Sequence, residues 1–148
     1  MKRIFAVIIL ALLTIGFHES KAQCKGFAKK ICKNELGDYL HDGNYHAAIL
    51  TEGEEAELFK TFYSETDYRI AVCGSDALPN VEFMVYDASK TLLYSNKDHN
   101  FVRTWDFKLQ ASQQLKIVVK VSASDKKKTE SEMASGCVAI MFGFKDKK

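Results

Sequence analysis

Four cysteines, Cys24, Cys32, Cys73 and Cys137, carry the most definite chemistry in this 148-residue chain. Four thiolates can hold zinc, but zinc sites bring ligands together in short knuckles such as C-x₂-C, and none occurs here. An even count of cysteines in an exported chain predicts two disulfides instead. No metal and no cofactor is expected. The remaining candidates for chemistry are sparse. His41 and His46 lack the i, i+4 spacing of a helical zinc pair, and an Asp42-Gly43-Asn44 turn separates them. Asp98 and His99 supply an acid and a base without the ring of carboxylates that calcium needs. Glu54, Glu55 and Glu57 are sequence neighbours, whereas a glycosidase needs two carboxyls about 5 to 9 Å apart across a cleft. G-x-S-x-G, H-E-x-x-H and phosphate-cradling glycine loops are all missing. No catalytic residue is nominated. A small secreted hydrolase or metal-dependent enzyme, built from His41, His46, Asp98 and His99 in neighbouring loops, is the alternative reading.

Whether the cysteines oxidise depends on where the chain goes. Met1-Lys2-Arg3 is a positive start, and Ile4 to Phe17 is an apolar run that ends in the polar His18-Glu19-Ser20-Lys21. That is signal-peptide anatomy, and the run is shorter than the roughly 18 to 20 apolar residues of a membrane-spanning helix. Small side chains at Ser20 and Ala22 predict cleavage after Ala22. Cys24 is not expected to be acylated: a lipid anchor wants a small residue directly before its cysteine and an apolar one two places earlier, where Gln23 and Lys21 stand. Residues 1–22 therefore read as a signal peptide and 23–148 as one domain that is secreted or periplasmic, with no membrane span after cleavage. The excised part carries Lys2, Arg3, Lys21 and Glu19, so the formal charge falls from +2 to zero. A neutral chain has no electrostatic bias toward nucleic acid or acidic membranes. The lysine runs 126–128 and 145–148 read as a solvated loop and a chain end.

The elements that must position these residues follow from hydrophobic period. Phe27, Ala28, Ile31, Cys32 and Leu36 recur at helical spacing and predict an amphipathic helix over about 25–37. From Tyr45 the period becomes two, giving strands near 45–51, 56–63, 67–73, 81–87, 91–95, 101–109, 114–122 and 137–144. Phe101, Trp105, Phe107 and Leu109 share one face of their run, which makes Trp105 a core residue rather than a sugar platform. Tyr45, Tyr63, Tyr86 and Tyr94 are less clearly core and are candidates for a binding surface. The long polar connection from Ser122 to Gly136 reads as mobile. The fold class is mainly β, an antiparallel eight-stranded jelly-roll-like sandwich with one N-terminal helix.

Geometry then constrains the cysteines. Across eight helical residues the Cα atoms of Cys24 and Cys32 lie about 12 Å apart, beyond the roughly 7 Å reach of a disulfide. Cys73 shares a face with Ala71, and Cys137 with Ala139 and Met141, opposite the strongly apolar faces of the same strands. Both thiols therefore point away from the sandwich core, to a side that Met84 and Tyr86 are expected to join. The helix should cover that side, pinned by Cys24 and Cys32 bonding to Cys73 and Cys137 in either order.

The runs EAELFKTF, DYRIAVC, VEFMVYDASKTLLY, WDFKLQASQQLKIVVKV and GCVAIMFGF, between Glu54 and Phe144, resemble small sandwiches of the bacterial pre-peptidase C-terminal type and, more distantly, of the GOLD type. The whole chain also resembles uncharacterised small secreted proteins of Gram-negative bacteria. The resemblance implies an accessory binding module and carries over no functional residue. The expected function is an exported, non-catalytic binding or interaction domain whose ligand is a glycan, a peptide or an envelope protein.

Overall fold

The computed structural model describes residues 19–124 and 128–145. Helix α1 (Glu19–Lys30) leads through a 3₁₀ helix (Cys32–Leu36) into nine strands: β1 (Leu40–His41), β2 (His46–Thr51), β3 (Glu55–Phe62), β4 (Asp67–Gly74), β5 (Val81–Tyr86), β6 (Leu92–Ser95), β7 (Thr104–Lys108), β8 (Gln113–Val121) and β9 (Ser135–Lys145). All pairings are antiparallel. One sheet runs β2-β9-β4-β7, with the short β1 beside the far end of β9, and the other runs β3-β8-β5-β6. Among the described residues there are nine strands where eight were expected, because Leu40 and His41 pair with Phe144 and Gly143.

The core lies between the sheets. Phe62, Ile70, Phe83, Val85, Leu115, Ile117, Val119 and Phe142 alternate inward from strands of both sheets and are fully buried. On the outer face of the β9-containing sheet a second apolar layer forms from Ala71, Cys73, Ala139 and Met141, under Ala28, Cys32 and Leu36 of the helical segment. Cys24 bonds to Cys137 and Cys32 to Cys73, with Cα separations of 5.2 and 5.7 Å. Small residues on those strands let the helix approach closely. Met84 and Tyr86 do not join this layer: they stand on β5, in the other sheet, where they align with Val118 and Lys116 of β8.

The helix departs from the expected 25–37. It ends at Lys30, and the chain turns at Ile31 (φ −109°, ψ −64°) into the 3₁₀ helix, leaving Ile31 exposed where a continuous helix would have buried it. Tertiary ties explain the change. Cys32 is held by Cys73, the Arg69 guanidinium donates to the Glu35 and Leu36 carbonyls, and Gly37 (φ +57°) closes the turn. Arg69 also forms a two-pronged bond to Asp106 at 2.6 and 2.7 Å, which holds the Asp106 carboxyl below its ordinary pKa.

The run 101–109 also shortens, with strand only over 104–108. Asn100 and Phe101 have φ of +54° and +56°, so the chain is still turning there. Asn96 imposes that turn: its buried amide accepts from the Phe83 N–H and donates to the carbonyls of Val81 and Val102. Residues 128–134 are also tied down, through Lys128 to Glu52 at 2.7 Å, a capping box between Thr129 and Glu132, and the Ala134 N–H donating to Glu52. Lys126, Lys127 and residues 146–148 lie outside the described residues.

Candidate functional site in the open edge of the sandwich

The sheets do not close on one another along the side where β1, β2 and β3 form their edges. A cavity of about 450 Å³ opens there, lined by Asp42, Lys60, Thr61, Tyr63, Thr66, Tyr68, Phe142, Gly143, Phe144 and Lys145. Beside it, a second of about 330 Å³ runs between β2 and β3 and is mostly apolar, lined by Ala48, Leu50, Ala56, Leu58, Val138 and Ile140 among others.

Lys60 sits at the centre of this edge. Ala56, Leu58, Lys60 and Phe62 occupy the inward-facing positions of β3, so the strand's alternation directs a lysine toward the core. Its ammonium lies 2.7 Å from Asp42 Oδ2 and 4.9 Å from the centre of the Phe142 ring. The ion pair is thus tied to an aromatic face, and the lysine stem covers apolar surface. Asp42 is placed by its own turn: with Gly43 at φ +91°, Asp42 Oδ1 accepts the Asn44 N–H at 2.9 Å. Burial pushes the Asp42 carboxyl up, but the Lys60 and Asn44 bonds outweigh it and hold its pKa low.

The histidines divide between two sites. His41 bonds through Nε2 to the Asn44 carbonyl at 2.9 Å and rests against Tyr45, and Asp42 Oδ1 is 3.7 Å away. His46 meets the Phe142 ring edge-on at 5.6 Å, and burial lowers its pKa. His99 and Asp98 belong to a 3₁₀ turn (Asn96–His99) after β6, at the opposite edge of the molecule. There His99 bonds to the Ser95 carbonyl and stacks on Tyr94. The four residues of the enzyme alternative therefore do not converge. Among the described residues, no group of three or more His, Cys, Asp or Glu could hold a metal ion.

Trp105 is also occupied. Tyr94 stacks on it at 4.9 Å and Phe107 at 4.4 Å, so it closes the β6–β7 edge and offers no free face to a sugar. Tyr63 is different, with 65% of its surface exposed at the mouth of the larger cavity. Sequence reasoning missed Lys60 and Phe142 as site residues. The available signal was a lysine on the apolar parity of A-E-L-F-K-T-F.

No family model matches the chain, so neither the pre-peptidase C-terminal type nor the GOLD type is supported by a family match. No curated protein matches either. Solved structures do. PliG of Aeromonas hydrophila, a periplasmic lysozyme inhibitor of g-type lysozyme, is 12% identical over 69% of this chain and 85% of its own, with a TM-score of 0.49. PliG of Salmonella Typhimurium, likewise an inhibitor of g-type lysozyme, is 11% identical over 68% and 89%, with a TM-score of 0.41. A de novo designed double-stranded β-helix is 14% identical over 69% and 99%, with a TM-score of 0.33.

Proposed function

We propose that this chain is an exported, non-catalytic binding domain that receives a protein partner in the open edge beside Lys60. The observation that carries the reading is the state of the titratable groups in that edge. Lys60 and Asp42 pair with each other, Asp42 also accepts the Asn44 N–H, and His41 Nε2 bonds to the Asn44 carbonyl, so these groups hold the turn before β2 against β3 and give the recess its shape. What remains open is an apolar recess with a polar rim and an exposed tyrosine, the composition of a protein-binding hot spot. The leader at residues 1–17, the small residues before Gln23 and two disulfides support export to a periplasmic or extracellular site after cleavage following Ala22. With β2 to β9 counted from one to eight, the sheets read 1-8-3-6 and 2-7-4-5, which supports a jelly roll.

The test is site-specific photocrosslinking from position 66, in the cavity wall, in the exported protein. A discrete protein adduct that disappears on Lys60→Glu is expected, and the g-type lysozyme named for the PliG inhibitors is the first candidate to assay as that adduct. No adduct, or the same adduct from a control position at Glu130, overturns the reading. Co-sedimentation with purified peptidoglycan that is lost on Lys60→Glu overturns the protein partner in favour of a glycan.

A further inference from the structure

Along β3, the inward-facing Leu58 and Phe62 flank Lys60, the one charged side chain that the strand turns toward the interior. A lysine that only ties β3 to the turn before β2 needs one acceptor. Its ammonium, however, has three N–H groups to donate. One meets Asp42 Oδ2 at 2.7 Å, and among the described residues no other side chain or carbonyl accepts from it. The Phe142 ring, 4.9 Å away, favours the charge without accepting a directional bond. Two N–H groups are left over, on a side chain that lines the cavity of about 450 Å³.

Other groups on the same wall show the same surplus of donors. Tyr68 is 8% exposed; its hydroxyl oxygen accepts the Tyr63 N–H at 3.1 Å, and its own proton has no acceptor among the described residues. Thr66 adds a second hydroxyl, and Lys145 a second ammonium, bonded to Asp38 at 3.1 Å. The acceptors are engaged. Among the described residues of the lining Asp42 is the one carboxylate; its Oδ2 takes Lys60 and its Oδ1 takes the Asn44 N–H. Two ammonium groups and one carboxylate thus stand among the rings of Tyr63, Tyr68, Phe142 and Phe144. A polyol would ask for acceptors as much as for donors, and a cation would meet two lysines. The complement of this wall is an anion on an apolar stem, and in a protein that anion is a carboxylate.

We infer that the recess takes an acidic side chain of the protein partner, its carboxylate accepting from Lys60 and from the Tyr68 hydroxyl, while apolar neighbours of that residue lie in the second cavity between Leu50, Leu58, Val138 and Ile140. The inference rests on the reading of the open edge as a protein-binding site and names what that partner must carry. Asp42 then holds the ammonium in place, and the bonds that Lys60 has left become charge-assisted bonds to the ligand.

Nuclear magnetic resonance titration of the oxidised, exported protein with short capped peptides tests it. One peptide has a single glutamate between leucines, the second has glutamine in its place, and the third is the glutamine peptide with a free C-terminal carboxylate. The glutamate peptide should shift the amide signals of Tyr63, Thr66 and Phe142 at millimolar concentration, and the other two should bind at least about tenfold more weakly. Lys60→Met keeps the stem and should remove that preference. Tyr68→Phe keeps the ring contacts with Phe62 and Phe107 and should reduce it about threefold. No shift with the glutamate peptide, equal binding of the glutamine peptide, or a preference that survives Lys60→Met overturns the inference. Tighter binding of the free C-terminus, or of glucuronic acid, overturns the acidic side chain as the source of the carboxylate. None of these readouts involves the partner itself, so the carboxylate site can fail while the adduct from position 66 forms, and it can hold while that adduct does not form.

Discussion

Lys60 Nζ lies 2.7 Å from Asp42 Oδ2, an ion pair that ties β3 of one sheet to the turn before β2 of the other. The two side chains are only 26% and 12% exposed, so neither is a freely solvated surface charge. Removing one partner leaves the other partly buried and unpaired. Lys60→Ala or Asp42→Asn should each cost about 1 to 2 kcal/mol in urea unfolding. The double variant should cost less than the sum, and a strictly additive cycle would show that the pair does not tie the edge.

The disulfides close spans of 41 and 113 residues. In the chain-entropy model, removing one bond costs about 4 to 5 kcal/mol, a large share of the roughly 5 to 15 kcal/mol that holds a small domain together. Replacing Cys24 and Cys137 by alanine should free the start of α1 while the 3₁₀ helix stays bound through Cys32. Hydrogen exchange would then rise at residues 24–30 and not at 32–36. Uniform loss of protection across both segments would contradict the two-clamp description.

Asn96 is 1% exposed and satisfies three backbone groups on β5 and the turn before β7. Asn96→Ala strands the Phe83 N–H and two carbonyls in a buried site and should cost about 3 kcal/mol. Asn96→Asp keeps the acceptor but loses both donated bonds, so it should not rescue. Thermal unfolding of the two variants decides the matter.

Acid should destabilise the protein in two stages. Burial lowers the His46 pKa in the folded state, so the unfolded chain binds the extra proton and stability falls as pH drops through the ordinary value of 6.5. Asp106 and Asp42 are also lowered, Asp106 first by its Arg69 bond, so their contribution is present above the ordinary value of 3.8 and is lost below it. His46→Gln should flatten the upper stage alone, and Asp106→Asn should shrink the lower one without abolishing it, because Asp42 still contributes there. Urea midpoints at stepped pH measure both, and an upper stage that persists in His46→Gln would assign it to another group.

Much of the fold was legible because its cause is local. Alternating parity in D-Y-R-I-A-V-C and G-C-V-A-I-M-F-G-F put Ile70, Val72, Ile140 and Phe142 on one face and the cysteines on the other, without any knowledge of neighbours. The helix was legible as an apolar stripe, yet its end was not. Where α1 stops depends on Arg69 and Cys73, which arrive from β4 and leave no mark in the local pattern. The assignment of Met84 and Tyr86 failed for a related reason: parity says which residues share a face, and it does not say which sheet the strand enters.

The amino-acid sequence alone determined the period of each segment, the faces on which the thiols stand and the place of a lysine on the inward parity of β3. Side-chain alternation along a strand is built into the extended backbone, so these required no tertiary information. Only the tertiary structure decided that Cys24 meets Cys137 and Cys32 meets Cys73, that His41 and His46 part from Asp98 and His99, and that Lys60 finds Asp42. Those are contacts between strands distant in the chain, fixed by the order in which strands enter the two sheets, and that order is set by the packing energy of the whole core and by no single segment.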